Sequence, residues 1–335
     1  MKDTRKGRPR AIACPDSFKE VLSAADAAAA IAAGLAAAGF EAKELPLADG
    51  GEGTAEALAR GARGEWHLAV VADPFGRPVE ARYWVGEDGE AVLDAAEAIG
   101  LERVRAEERD PLRASSRGFG ELLLAALAGG ARRVVVGLGG TATVDGGAGF
   151  LEVVQALPVP VTAAHDVDNP LLGARGAARI FGPQKGASPE AVEELERRLA
   201  AAAPLRPFAR LVGAGAAGGL GAALASLGAS LRPGIEVVLE ALRFEEDIAG
   251  ADLVVTGEGA VDASSAGGKV PAGVARASAR AGIPCVVLGG RVDGGVASLY
   301  EVGATAVFAL GVGPARPRED LTSAAEAVGR LVLHE

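Results

Sequence analysis

Cysteine, histidine and aromatic side chains are scarce in this 335-residue chain: 2 Cys, 3 His, and 2 Trp, 2 Tyr and 9 Phe. Cys14 and Cys285 each stand alone in an apolar, strand-like run, which predicts a buried small hydrophobe at each. His67, His165 and His334 are far apart, and no Cys/His spacing resembles a zinc site. Basic residues are also in deficit, 34 Lys and Arg against 44 Asp and Glu for a net charge of −10. That balance argues against a general nucleic-acid binder, and it leaves any anionic ligand to local positive groups. No apolar run is long enough for a membrane span. The basic leader Met1 to Arg10 lacks the apolar stretch of a secretory signal, so the chain reads as cytoplasmic. Two sequence devices are missing as well. Without G-x-x-x-x-G-K-[ST] a P-loop enzyme is disfavoured, and without a G-x-S-x-G elbow so is a serine hydrolase.

Glycine, by contrast, is abundant at 48 residues, roughly twice ordinary usage. With so little side-chain bulk, backbone must approach backbone, or ligand, unusually often. Apolar residues at 49% provide ample core. Short β-branched runs repeatedly end in polar, glycine-rich turns and are followed by Ala/Leu-rich stretches long enough for a helix. Ala11 to Cys14, Arg132 to Gly137, Asp252 to Thr256, Ile283 to Leu288 and Ala304 to Leu310 read as strands, with turns at Gly257-Glu258-Gly259 and Gly289-Gly290. Ser23 is placed to cap a helix, Ser188 another with Pro189 in its first position, and a last helix is expected near Thr322. Trp66 to Leu93 breaks this rhythm: its strands are joined by turns at Asp73-Pro74-Phe75-Gly76 and Glu87-Asp88-Gly89, as in an antiparallel sheet. The expected fold class is therefore α/β, a Rossmann-like doubly wound parallel sheet domain (residues 1–64 plus 250–335). Residues 65–249 would form a second, inserted α/β domain containing some antiparallel strands.

Lysine is informative because Arg outnumbers it 28 to 6, and Lys19, Lys185 and Lys269 sit in Gly/Pro/Ser-rich turns rather than on charged helical faces. Ligands of α/β sheets collect beyond the carboxyl ends of strands. Acids and lysines recur in such turns at 15–19, 47–54, 139–147, 166–169, 182–186 and 257–269. Any one of them is more often a turn or a cap than a site. Six converging on one sheet edge would be hard to explain structurally. Acids, lysines and glycine backbone, with neither a histidine base nor a thiol, suit phosphoryl transfer. N–H groups and ammonium ions spread the charge of the transferred group, carboxylates hold magnesium, and one carboxylate receives the acceptor's proton. A rival is Gly213-x-Gly215-x-x-Gly218 with Glu240 beyond it, a dinucleotide fingerprint that would make the chain a nicotinamide-dependent dehydrogenase of a small hydroxy acid. A non-catalytic metabolite-binding protein is the third class.

These phrases, in this order, resemble the glycerate kinase family of the bacterial type that lacks a P-loop. The matching segments are Pro15–Lys19 (PDSFK), Leu47–Thr54 (LADGGEGT), Asp73–Val79 (DPFGRPV) and Gly137–Gly149 (GLGGTATVDGGAG). They continue with Asp166–Gly173 (DVDNPLLG), Phe181–Ala187 (FGPQKGA), Gly213–Gly221 (GAGAAGGLG), Ala251–Asp262 and Gly268-Lys269. The chain departs from the family pattern at Glu20, Val144, Ala260 and Ser264-Ser265, and it is shorter between Phe150 and Ala163.

The resemblance implies ATP-dependent phosphorylation of D-glycerate with Mg2+, at the 2-hydroxyl, the 3-hydroxyl being the alternative. The expected partners are D-glycerate and ATP, without nucleic acid or membrane and with room for a homodimer. On this reading Asp49, or next Asp166, accepts the hydroxyl proton, and Lys19, Lys185 and Lys269 meet phosphate or the glycerate carboxylate. Asp16, Asp145 and Glu258 hold magnesium or orient the lysines, with Asp145 and Glu258 named as the metal ligands. Ser17, Gly50, Gly51, Glu52, Gly139, Gly140, Thr141, Asn169, Gln184, Gly215, Gly218 and Asp262 complete the expected binding set. Structural alternatives stand beside these roles: Asp16 as a helix cap, Glu52 as a first-turn acid, and Lys185 as the partner of a nearby carbonyl.

Overall fold

The computed structural model describes residues 7–18, 21–262, 265, 267–311 and 316–334. The chain forms two compact units, one from Met1–Ala48 and Leu239–Glu335 and the other from Asp49–Val238. The described strands are, in chain order, β1 (Arg10–Ala13), β2 (Glu41–Glu44), β3 (Gly64–Ala72), β4 (Pro78–Gly86), β5 (Glu90–Asp94) and β6 (Arg133–Gly137). They continue with β7 (Val161–His165), β8 (Ser230–Pro233), β9 (Leu253–Val261), β10 (Cys285–Val292) and β11 (Ala306–Ala309). Both units are α/β.

The first unit holds a five-stranded parallel sheet in the order β11-β10-β9-β1-β2. Counted within the unit this is the doubly wound order 2-1-3-4-5, which reverses between β1 and β9. Ala11 to Ala13 and Leu253 to Val255 are wholly buried, because a parallel strand covered on both faces must be apolar throughout. Cys14 and Cys285 are free and buried in the same unit, and burial pushes both thiols upward, Cys285 to about 12.

Helix α1 (Ala24–Ala38) starts where Ser23 Oγ accepts the N–H of Asp26 at 3.0 Å and stops at Gly39, whose φ of 113° is left-handed. It packs against the C-terminal helix Pro317–Leu333. That helix starts ahead of Thr322 because Pro317, with φ already fixed, suits a first turn. The two backbones approach closely at Gly34, where a Cβ would stand 2.1 Å from Thr322 O. Gly34→Ala is therefore expected to cost about 1–3 kcal/mol through overpacking, read as a lower urea midpoint. An unchanged midpoint would show that the two helices separate freely.

Two of the expected turns are strand. Gly257, Glu258 and Gly259 lie within β9, and Gly289 and Gly290 lie within β10, with Gly257 opposite Leu288 and Glu258 opposite Gly289. Here glycine permits close approach rather than reversal: a Cβ on Gly257 would lie 2.2 Å from Leu288 O.

The second unit holds a six-stranded sheet in sequence order, β3-β4-β5-β6-β7-β8. The β3–β4 and β4–β5 pairs are antiparallel and the remaining pairs are parallel. Asp73 builds the β3–β4 turn, its Oδ1 accepting the N–H groups of Phe75 and Arg77 at 2.8 Å each, with Gly76 left-handed. Phe119, Leu122, Leu123 and Phe150 fill the core. The helix Pro189–Ala201 is capped by Ser188.

The division falls at 48/49 and 238/239, whereas the sequence reading set it at 64/65 and 249/250. Helix α2 (Thr54–Arg60) is tied to the end of β5, which draws residues 49–64 into the second unit. Lys43–Asp247 (2.5 Å) and Glu245–Arg280 (2.9 Å) ion pairs tie residues 244–248 to the first. Among the described residues, no helix is long and apolar enough to cross a membrane.

Candidate active site

In the second unit, Asp49 opens a loop seated on the carboxyl ends of β6 and β7. Its Oδ1 accepts the Gly51 N–H at 3.2 Å. Gly139 N donates to Gly50 O at 3.1 Å, and Thr54 Oγ1 donates to Gly51 O at 2.8 Å. Contact is backbone on backbone: a Cβ on Gly50, whose φ is 94°, would lie 2.8 Å from the carbonyl carbon of Ala164, and one on Gly139 2.4 Å from Gly51 Cα. At these positions glycine lets loop meet strand.

Lys185 follows the turn Gly182-Pro183-Gln184 and is 5% exposed. Its ammonium donates to Thr143 O at 2.9 Å and to Thr141 Oγ1 at 3.2 Å, so the carbonyl-partner role holds beside any ligand role. Burial pushes this amine down to about 7, against the opposing pull of Asp145 and then Asp166. Asp166 is half-buried just beyond β7. Neighbouring His165 is 4% exposed; burial lowers its pKa, while Asp166, Asp168 and Glu236 act the other way.

Asp145, whose charge acts on the Lys185 ammonium, also braces a turn. Its Oδ2 accepts hydrogen bonds from Ser116 N and Ser116 Oγ (2.8 Å each) and from Gly149 N (3.1 Å), and its Oδ1 accepts from Gly147 N (2.9 Å). Three of these hydrogen bonds fall on Oδ2 and one on Oδ1, and together they brace a turn. Glu258 belongs to the other unit, 7% exposed with Lys269 Nζ at 3.7 Å from its Oε2. Among the described residues no group of three or more His, Cys, Asp or Glu side chains could hold a metal ion. Asp145 and Glu258 belong to different units, so neither unit by itself presents both carboxylates.

Other expected site residues divide between scaffold and surface. Glu52 is exposed and precedes Gly53, the N-cap of α2, so it is not a first-turn acid. Gly140 is left-handed and exposed. Asn169 Nδ2 donates to Arg175 O at 2.8 Å, and Gln184 is exposed, its carbonyl accepting from Arg109 Nη1 at 3.4 Å.

The fingerprint glycines follow the 3-10 helix Ala203–Phe208 and turns rather than a strand, which removes the dinucleotide motif's context. A Cβ on Gly213 would lie 2.4 Å from the His165 ring, one on Gly215 2.4 Å from Pro170 O, and one on Gly218 2.0 Å from Thr143 O. This run packs on the turns that carry Lys185's partners and Asp166.

In the first unit, Asp16 N donates to Gly257 O at 2.9 Å, and Ser17 N to Asp16 Oδ1 at 2.5 Å. The acid thus fixes its own turn rather than capping a helix. Asp16, Ser17 and Glu258 gather where the strand order reverses, the position at which doubly wound sheets bind ligands. Asp262 N donates to Ser265 Oγ at 3.1 Å, and Lys269 precedes the helix Val270–Ala281. Lys19 lies outside the described residues. The six turns are thus shared between two sheets.

A model of the glycerate kinase family matches residues 11–157 and 154–333. The chain belongs to the glycerate kinase family. Glycerate 2-kinase of Escherichia coli is 41% identical over 341 residues, spanning 89% of this chain and 90% of that protein. A glycerate kinase of Bacillus subtilis is 39% identical over 351 residues, 92% of each. A crystal structure assigned as glycerate kinase 2 from Salmonella typhimurium superposes with a TM-score of 0.80 at 35% identity, covering 98% of this chain and 99% of the other. Within the family pattern, the divergent Val144 is 1% exposed in the core of the second unit, where its apolar side chain needs no partner.

Two well-placed residues escaped the sequence reading. Asp94 closes β5 and is 5% exposed; the strand-end acid signal that flagged Asp166 applied equally to it. His165 was passed over for want of a second histidine or a cysteine nearby in the sequence.

Proposed function

We propose that this chain transfers the γ-phosphoryl group of ATP to the 2-hydroxyl of D-glycerate. The observation that carries the reading is Lys185, an ammonium buried among Thr141, Thr143 and two acids in a member of the glycerate kinase family. A buried cation close to neutrality is strongly biased toward an arriving anion, a phosphate oxygen or the glycerate carboxylate. Asp145 and then Asp166 favour the charged amine, and Asp49 takes the hydroxyl proton. The hydroxyl oxygen bonds to the γ-phosphorus as the bond from phosphorus to the β–γ bridging oxygen breaks, and ADP leaves with that electron pair. The 2-hydroxyl is favoured because the Escherichia coli relative carries that name. Within the first unit, Asp16, Ser17, Glu258 and Lys269 are proposed to bind substrate or nucleotide. Magnesium is proposed as the nucleotide's companion, a hard cation that commonly binds through phosphate oxygens and water.

The test is ADP release measured with and without D-glycerate. Release that requires D-glycerate is expected; a nicotinamide absorbance change with lactate-like acids and no ATP use would favour the dehydrogenase.

The pH profile gives a further test. Lys185 is cationic below its pKa, so kcat/KM should fall as pH rises through about 7. In the kcat profile this limb should move upward, because bound anion favours the ammonium. Asp94 also comes to about 7, so the limb should persist in Asp94→Asn. A limb that disappears in that variant would assign it to Asp94.

A further inference from the structure

We infer that Asp94, buried at the end of β5, is the positioning residue for Asp49. The inference rests on the reading of Asp49 as the base. The loop that carries Asp49 is braced locally around Gly51, but its entry into α2 has no side-chain cap of its own. Gly50, Gly51 and Gly53 give the loop wide conformational freedom, and α2 begins at Gly53, φ 91°. The first N–H groups of α2 would be orphans.

Asp94 supplies the missing cap from a distant strand. Its Oδ2 accepts the Gly53 N–H at 3.0 Å, and Ala55 N lies 3.2 Å from Oδ1 and 3.3 Å from Oδ2. Space is reserved for this contact across the sheet. A Cβ on Gly137 would lie 2.7 Å from Asp94 Oδ1, 3.1 Å from Gly51 O and 3.2 Å from Gly50 O. Glycine at the end of β6 thus leaves room for both the clamp and the loop it holds. Burial, reinforced by Glu97 and Glu56 and opposed by the Gly53 and Ala55 N–H groups, raises the Asp94 carboxyl to about 7. A proton on Oδ1 would therefore still leave Oδ2 to accept from Gly53. From Asp94 through Gly53 to Gly51, whose N–H holds Asp49 Oδ1, hydrogen bonds and covalent chain form one short path.

The experiment measures kcat and KM for Asp94→Ala, Asp94→Asn, Asp49→Asn and the Asp49→Asn/Asp94→Ala double variant, with circular dichroism to confirm folding. Asp94→Ala should lose about 10²-fold in kcat, the scale of a misplacement of about 1 Å, with KM for ATP and D-glycerate within about threefold. Asp94→Asn keeps an acceptor for Gly53 and should recover most of kcat. In the double variant the Asp94 effect should vanish, since a base already removed cannot be misplaced. Should Asp94→Ala fail to fold, Asp94→Ser takes its place, its hydroxyl too short to reach Gly53, and the same kcat loss is required. Normal kcat in the shortened variant, or a loss that multiplies fully with that of Asp49→Asn, overturns the positioning role. Near-normal turnover of Asp49→Asn alone instead overturns the reading of Asp49, and the inference with it.

Discussion

Asp49→Asn should lower kcat by about 10² to 10⁴, the usual contribution of a general base, with KM for D-glycerate little changed. The substitution is well controlled because asparagine has the same shape and its Oδ1 still accepts the Gly51 N–H that Asp49 holds at 3.2 Å. The loop therefore stays in place and only the proton acceptor is lost. Single-turnover ADP release, which isolates chemistry from product departure, is the measurement. Near-normal turnover would reduce Asp49 to a loop brace and pass the role of base to Asp166.

Lys185→Met should cost about 10² to 10³ in kcat, comparable with removing one preorganised donor from a developing negative charge. Methionine approximates the volume of the 5% exposed stem and removes an ammonium whose burial is itself unfavourable. Replacing a buried charge by a fitting apolar group is often neutral for stability; the Thr143 carbonyl left without its donor costs about 1–3 kcal/mol. The thermal midpoint should thus fall by no more than about 2–4 °C per kcal/mol of that cost, while activity collapses. Equal loss of stability and activity would mean that Lys185 serves chiefly to tie the 141–145 turn. Arginine should not rescue, because the guanidinium does not fit a site closed around a single amine.

Sequence legibility followed the range of each interaction. β1 and β6 could be read because parallel strands buried on both faces are apolar throughout, and Ser23 and Ser188 because a cap acts on the next few residues. β9 and β10 run longer than expected because glycine, usually punctuation, here lets strands close on each other at Gly257 and Gly290. Lys185 stood out as a rare lysine in a turn. Asp145 looked like a metal ligand or a lysine-orienting acid, and its turn-bracing role went unread although the glycines that follow it offer it backbone N–H groups. Asp94's position at a strand end could be read, but not its partners, which lie about forty residues earlier in the chain and meet it only when α2 packs on the end of β5. The sharing of the six turns between two sheets likewise depends on strand order, which no local pattern carries.

Proton NMR with phosphorus decoupling, run on the product of ATP and D-glycerate, tests the central claim most directly. The expected product is 2-phosphoglycerate, its C2 proton split by phosphorus and the splitting removed on decoupling. Unchanged glycerate, or phosphorus coupling at the C3 protons instead, would contradict it.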